Sequence, residues 1–440
     1  MLARFSAPRA ISDAVLFFFP ASVLIIIVVV GMTLGKVDII DSSHYLLHSN
    51  VVFDGVVPPN MPYDYAAYRP PFYSAVIAAA GKISGTYQIQ IALLGNLAVA
   101  LLALWMIFRS RLMAFGTVGK IVLVGLLFTN VWFFREMLAL RETAWYALFC
   151  VLFVCLCQRL YASPLLGLAL GSVTGLAMLL RPSGVVFAIA ALIIGGGLWM
   201  TKTISARHLL LFLSSFLLIS LLILAPWQMY LHAKFDRYEP TGSCTGGMNL
   251  FKGNHEMMGD IESAVDVDVA GQFLNDYADR HVRMLDEPAS VCARDDFLKS
   301  EVMRGIKKRP VRFIKSVAAS FTYFLAPSPM PLGSGDVSFD KNAQELKIIS
   351  FHPRKITSFV SVFYYAGLFA AAIGGFLLTR RRKDEILWAA PVLLLFLGHA
   401  AVHAVTFPES RFRMPLEILL CVPAALAIQH LLANRTGSRT

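Results

Sequence analysis

The feature that most constrains this chain is a recurrence. Long apolar stretches, hardly broken by charge, return along its whole length. A helix needs about 20 apolar residues to cross a bilayer, and inside lipid each backbone N–H and C=O must be satisfied within the segment. Such a chain is expected to fold as an all-α polytopic membrane protein. Spans are expected at roughly 13–35, 88–108, 119–135, 140–158, 164–180, 184–200, 208–227, 356–378, 386–405 and 414–432. The first run is too long for the apolar part of a signal peptide and reads as an uncleaved span. For 440 residues, size alone would suggest two or three soluble domains, but 57% hydrophobic against 15% charged residues overrides that expectation.

The net charge of +11 fits the same picture. Arg4 and Arg9, then Arg109, Arg111 and Lys120, then Arg159, then Lys202 and Arg207, then Arg380–Lys383, then Arg435 and Arg439 all fall on one side if both termini are cytoplasmic. Loops on that side of a membrane carry Lys and Arg, so the basic balance needs no nucleic-acid partner. No Lys/Arg cluster with interleaved aromatics argues for one. The organisation follows. Residues 1–227 form an N-terminal membrane module containing an extracytoplasmic first loop, 36–87. Residues 228–355 form an extracytoplasmic region, and 356–440 supply the last spans. Val311–Pro327 is apolar enough to mimic a span, yet a crossing there would put Arg380–Lys383 outside. Short, flanked by basic residues and ended by Pro, it reads as an interfacial helix, as does Pro71–Ile83.

A few polar residues stand at the outer ends of different spans. Asp41 follows the first, Glu142 opens the fourth, Arg181 ends the fifth, and Arg411 and Arg413 precede the tenth. Charge beside a membrane is costly unless solvated or paired, so such residues tend to be functional. Each has a plainer reading. Asp41 could be a solvated loop acid, and Glu142 could pair locally with Arg141 or Arg135. Arg181 could snorkel, and Arg411 and Arg413 could anchor the interface. His44 and His48 have the i, i+4 spacing of metal ligands but no third partner in sequence, which leaves metal binding open. Cys150, Cys155, Cys157 and Cys421 lie in spans as small apolar fillers. Cys244 and Cys292 both fall in the outer region. A disulfide between them would close a loop of about 48 residues, worth on the order of 4 kcal/mol in the chain-entropy model. No phosphate-binding Gly loop or nucleophile elbow occurs, and Gly195–Gly197 sits inside a span.

An acid among arginines at a membrane face suits one reaction. A sugar carried on a lipid phosphate has a leaving group of low pKa that needs no general acid. It needs cations for the charge developing on it, and guanidinium groups supply these. The attacking hydroxyl needs a base, and a carboxylate on the opposite face of the ring gives inversion.

Five stretches then carry a family resemblance. Asp41-Ser-Ser-His-Tyr45 looks like an acidic first-loop motif, and Tyr68-Arg69-Pro70-Pro71-Phe72-Tyr73 resembles its continuation. Arg141-Glu142-Thr143-Ala144-Trp145-Tyr146 is similar to a glutamate that opens a later span. Gly175–Gly184 resembles the G-L-a-x-L-x-R-P-x-G stretch. Pro226-Trp227 with Gly246–Asn254 resembles a P-W and G-x-N-L-x-x-G-N run, and Arg411-Phe412-Arg413-Met414-Pro415 is close to R-Y-x-x-P. In this order they resemble the GT-C membrane glycosyltransferases, in particular the branch of the lipid A aminoarabinose transferase and the protein O-mannosyltransferases.

The resemblance implies about ten spans, interfacial helices and an extracytoplasmic cap in a bacterial inner membrane. It implies an inverting transferase moving a sugar from a polyprenyl-phosphate donor to an extracytoplasmic lipid, glycan or protein. Asp41 would be the base and Arg69, Arg181, Arg411 and Arg413 would hold the donor phosphate, while Tyr45, Tyr68 and Glu142 position substrate. Ser42 stands where members often carry a second acid, and Arg69 where Lys is common, which leaves a divalent metal and the sugar open. Two other readings stay open: a ligase or polymerase of lipid-linked glycans, and a transporter or flippase.

Overall fold

The computed structural model describes residues 7–33, 40–56, 65–109, 116–130, 136, 139–254, 291–325, 333–334, 337–340, 345–348, 352–353, 357–379, 383–407 and 410–435. Its membrane part is helical throughout. The helices are α1 (Ala7–Thr33), α2 (Ile40–Phe53), α3 (Phe72–Ile83), α4 (Gln88–Arg109), α5 (Thr117–Thr129), α6 (Thr143–Cys157), α7 (Leu166–Leu180), α8 (Val185–Met200) and α9 (Ala206–Phe235). Then come α10 (Gly246–Asn254), α11 (Val291–Lys308), α12 (Pro310–Phe324), α13 (Thr357–Thr379), α14 (Lys383–Val405) and α15 (Met414–Arg435). Each of the ten expected spans is a helix. Among the described residues, seven helices are long and apolar enough to cross a membrane: α1, α4, α8, α9, α13, α14 and α15.

The other three are apolar but short, α5 with 13 residues and α6 and α7 with 15 each. At 1.5 Å per residue, 15 residues cover about 22 Å, less than the ~30 Å of a hydrocarbon core. Polar groups at their ends are therefore drawn toward membrane depth. Two of the singular charges of the sequence, Glu142 and Arg181, sit at such ends.

Helix α6 is the hub of the bundle. It packs against α4, α7, α8, α14 and α15, and its sequence, TAWYALFCVLFVCLC, is apolar on all sides. Helix α7 meets α9 through Gly167, Gly171 and Gly175, spaced so that small residues line one face. Ser220 on α9 donates to the Gly171 carbonyl at 3.1 Å. Van der Waals contact between close backbones drives such pairs in lipid.

Two expectations needed adjusting. Helix α9 runs 30 residues, well past the expected end near 227. Gln228, His232 and Lys234 end the apolar run without ending the helix, since a helix in water satisfies its own backbone. Four short strands also occur: Gly333–Ser334 (β1), Val337–Asp340 (β2), Glu345–Ile348 (β3) and His352–Pro353 (β4). They form nested antiparallel pairs, β1 with β4 and β2 with β3, with Val337 opposite Ile348. The expected interfacial helices are α3 and α12. The Arg380–Lys383 run lies outside the described residues up to Lys383.

Candidate active site

Glu142 stands immediately before the first residue of α6, and Arg181 immediately after the last residue of α7. The two helices pack side by side, so these ends meet. The Arg181 Nε donates to Glu142 Oε1 at 2.6 Å, and both side chains are about nine-tenths buried. The Tyr45 hydroxyl, brought by α2, donates to Glu142 Oε2 in a short hydrogen bond. Both oxygens of the carboxylate are thus engaged by donors from two other elements. Of the local partners the sequence offered for Glu142, Arg141 pairs with Glu136 at 3.0 Å, and Arg135 lies outside the described residues.

Around this centre the other groups fall in layers. The Arg69 guanidinium carbon lies 4.2 Å from the Tyr45 ring centroid and 5.7 Å from that of Tyr68. Cation–π geometry of this kind fixes the planar group by one face. Tyr68 stacks on His44 at 6.0 Å, and Tyr73 meets Tyr45 edge-on at 5.0 Å. The Arg181 Nη2 reaches Thr143 Oγ1 at 3.4 Å, and Thr143 donates to Glu136 Oε2 at 3.0 Å. The Arg181 Nη1 is buried and makes no hydrogen bond among the described residues. Among the described residues the guanidinium groups of Arg69 and Arg181 both stand near the Glu142 carboxylate, and Arg181 Nη1 keeps an unfilled donor.

The turn that carries Arg181 is built tightly. Pro182–Gly184 forms a single 3-10 turn that folds back on α7. A Cβ at Gly184 would sit 2.5 Å from the Ala177 carbonyl carbon and the Met178 nitrogen. Only glycine fits there, which accounts for that position of the motif. The segment that follows α9 is tied down similarly. A Cβ on Gly253 would lie 1.7 Å from the Thr406 carbonyl oxygen, and Asn254 Nδ2 donates to the Val405 carbonyl at 2.6 Å. The Gly246–Asn254 motif therefore docks this segment on the end of α14. At its other end the Gly247 and Met248 N–H groups donate to Asp295 at 2.9 and 2.8 Å. Burial raises the Asp295 carboxyl above its ordinary range, while these two donors pull the other way.

Cys244 and Cys292 are joined as a disulfide. The Cys244 N–H donates to the Ala67 carbonyl at 2.7 Å, and the Trp227 Nε1–H to the Gly242 carbonyl at 2.7 Å. The bond thus ties α11 to the segment carrying Tyr68 and Arg69.

Not all of the candidates gather in one place. Asp41 falls in the first turn of α2, one helical turn before Tyr45 and on the same face. Its side chain, and that of Arg411, lie outside the described residues. Arg413 is fully buried in a second cluster. Its Nε donates to Glu417 Oε1 at 2.9 Å, and its Nη1 to the Phe324 carbonyl at 2.5 Å. Asn130 and Tyr365 donate to Glu417 Oε2 at 2.8 and 3.0 Å. Phe412 lies between the two clusters, with Arg181 5.7 Å from its ring and His403 stacked on it at 4.4 Å. The two histidines of α2 have different surroundings. His48 is buried, with Nδ1 at 2.7 Å from Ser74 Oγ and Nε2 at 2.9 Å from the Ala66 carbonyl. Among the described residues no three His, Cys, Asp or Glu side chains come together as metal ligands.

Sequence reading missed Tyr146 and His399. The His399 Nδ1–H points at the Leu395 carbonyl at 2.7 Å, which leaves Nε2 to accept from the Tyr146 hydroxyl at 2.6 Å. The Tyr146 ring lies under Arg181 at 5.0 Å. Its place one turn after Glu142 on α6 was the available signal.

The described bundle aligns with a solved structure. Its fold is that of an oligosaccharyltransferase from Archaeoglobus fulgidus. The match has a TM-score of 0.53 at 14% identity and covers 97% of this chain and 52% of that one. The architecture is GT-C. The archaeal oligosaccharyltransferase AglB from Archaeoglobus fulgidus, in complex with an inhibitory peptide and a dolichol-phosphate, aligns at a TM-score of 0.46 and 14% identity over 90% of this chain and 48% of that one. This chain spans about half the length of both. No protein-family model and no curated protein matches the sequence.

Proposed function

We propose that this chain is an inverting GT-C glycosyltransferase of the aminoarabinose- and mannosyltransferase type, using a polyprenyl-phosphate-linked sugar as donor. One observation carries the reading: Glu142 holds Tyr45 of the first loop and Arg181 at the end of α7 together, with Arg69 over the same tyrosine. This brings the two arginines and the position one turn before Tyr45 to one end of the bundle.

In this reading Asp41 takes the proton of the acceptor hydroxyl as its oxygen attacks the anomeric carbon. The bond from that carbon to the phosphate oxygen breaks on the opposite face. Polyprenyl phosphate leaves as the anion, and its added negative charge falls on Arg69 and the unfilled Nη1 of Arg181. Arg411 adds a further cation from the last-span side, while Arg413 anchors the start of α15 through Glu417 and the Phe324 carbonyl. Tyr45 and Tyr68 orient the arginines and the sugar. The termini are cytoplasmic, and the reaction faces the other side of the bacterial inner membrane. Asp41→Asn should retain donor binding and lose transfer by a factor of about 100 or more, the scale of a lost general base. Undiminished transfer in that variant refutes the mechanism.

The fold shared with an oligosaccharyltransferase favours a second reading, in which the lipid phosphate carries an oligosaccharide. Purified protein incubated with labelled polyprenyl-phosphate monosaccharide separates the two. Release of polyprenyl monophosphate supports the first.

A further inference from the structure

Away from this site, the elbow between α11 and α12 has an unusual surface. From Arg304 to Lys315 the sequence reads RGIKKRPVRFIK, with six basic residues and no acidic one. Arg304 pairs with Glu301 at 2.9 Å. Lys307, Lys308, Arg309, Arg312 and Lys315 are all exposed. Beside them, Val311 and Ile314 are 64% and 65% exposed.

The two kinds of residue are sorted. On α12 the buried or half-buried positions are Phe313, Ser316, Val317, Ser320, Phe321 and Phe324, the stripe of a helix laid on the protein. The face turned away carries Val311, Ile314 and Ala318 in one row, with Arg312 and Lys315 beside it. A branched apolar row next to a basic row is the pattern of a helix lying in a membrane interface, its apolar row among acyl chains and its cations at the phosphate level.

The depth fits. The end of α12 is wedged among spans: Phe324 is fully buried, 6.0 Å from the ring of Phe396 and 5.8 Å from that of His403, both on α14. Ser316 donates to the Gly253 carbonyl at 3.1 Å. The elbow is therefore fixed on the flank of the bundle at the end where α14 meets the last span.

We propose that this elbow is a docking surface for anionic phospholipid headgroups. It collects bilayer lipids of phosphatidylglycerol type at the rim of the bundle on the side of the Arg181 site. The inference does not depend on what that site transfers. Charge complementarity selects the occupant: several cations with no acid among them, at the phosphate level, meet a monoanionic headgroup whose acyl chains pass Val311 and Ile314. Arg309 and Arg312 also take part in other interactions of the chain, so the lysines provide the test.

The full chain is reconstituted in phosphatidylcholine vesicles containing a trace of spin-labelled phosphatidylglycerol or spin-labelled phosphatidylcholine. The motionally restricted fraction reports lipid held at the protein. The expected result is at least twofold more restricted phosphatidylglycerol than phosphatidylcholine at low salt, falling as salt screens the exposed lysines. In the triple variant Lys307→Gln, Lys308→Gln, Lys315→Gln, that preference should drop toward equality with the melting temperature unchanged. Equal fractions for the two labels in the unaltered protein overturn the proposal and leave an acidic polymer as the occupant of this face. A preference that survives the triple variant also overturns it, because the anionic lipid is then held elsewhere, the Arg181 site included.

Discussion

Arg181 and Glu142 are 39 positions apart in the chain and share a 2.6 Å hydrogen bond where one short apolar helix ends and another begins. The pair is buried on both sides, so its two halves are not interchangeable with water. Removing one partner of such a pair leaves an uncompensated charge, at a cost of about 3–5 kcal/mol. Glu142→Gln keeps an acceptor for Tyr45 and loses the counter-charge for Arg181. We expect a lower melting temperature and a fall in transfer of about tenfold or more beyond the loss of folded protein. Arg181→Lys keeps the charge and loses the planar fork. It should melt closer to the unaltered protein and still transfer at least about tenfold more slowly. Equal losses of stability and activity in both variants would show that the pair only holds the helices together.

The Arg413–Glu417 pair should behave differently, although it too is buried. It sits among Asn130, Tyr365 and the Phe324 carbonyl, with the rings of Tyr365 and Phe369 at 4.7 and 5.0 Å from the Arg413 guanidinium carbon. Its effect on transfer is therefore indirect. In a cycle of Arg413→Gln, Glu417→Gln and the double variant, we expect a coupling energy of about 1–3 kcal/mol in stability. The double variant should lose less stability than the two single losses added together, by that coupling. Its transfer rate, per folded molecule, should stay within a few-fold of the unaltered protein. A collapse of transfer in a well-folded double variant would return Arg413 to the donor site.

These two pairs also mark what could be read in the sequence. Hydropathy placed a helix at each of the ten apolar runs, seven of them long and apolar enough to cross a membrane, because lipid forces each apolar run into a helix of its own. It could not say that α9 continues to Phe235, since a helix outlasts its apolar segment in water. Glu142 and Arg181 were visible as isolated charges at span ends, but their partnership was not. Arg141 is nearer in sequence but pairs with Glu136, and it is the packing of α6 on α7 that brings Arg181 to Glu142. The Arg413–Glu417 spacing of i, i+4 was legible at the start of the last span, but Arg413 reads from sequence only as an interface anchor or a donor-phosphate group, and Glu417 did not enter that reading. The strands between 333 and 353 are too short for alternation to reveal them.

The disulfide offers a third test. It joins α11 to Cys244, whose N–H holds the Ala67 carbonyl two residues before Arg69. Opening it frees a loop of 48 residues, and losing a native disulfide costs about 2–5 kcal/mol in small domains. Cys244→Ala with Cys292→Ala should melt at a lower temperature. Below that temperature it should show a raised KM for donor with kcat less affected, because Arg69 is a binding group held at a distance by the bond. Thermal unfolding followed with and without reductant gives the first part, and initial rates give the second. An unchanged KM would detach the cap from donor binding.

The last expectation concerns a residue with no functional group. At Gly184 an added methyl carbon meets the backbone of Ala177 and Met178 at 2.5 Å, a distance that side-chain rotation cannot relieve. Gly184→Ala must therefore open the Pro182–Gly184 turn or push back the end of α7. Either movement acts first on Arg181, whose backbone N–H still bonds the Ala177 carbonyl at 2.9 Å and whose carbonyl accepts from the Gly184 N–H at 2.9 Å. A misplacement of about 1 Å in a positioning group can cost on the order of 100-fold in rate. We expect Gly184→Ala to insert and fold, to lose transfer by roughly that factor, and to bind donor more weakly. Gly196→Ala on α8 is the matching control, because nothing lies within 4 Å of the carbon it would add. Equal activity of the two variants would mean that the turn has slack, and that Arg181 is not held to the tolerance its burial suggests.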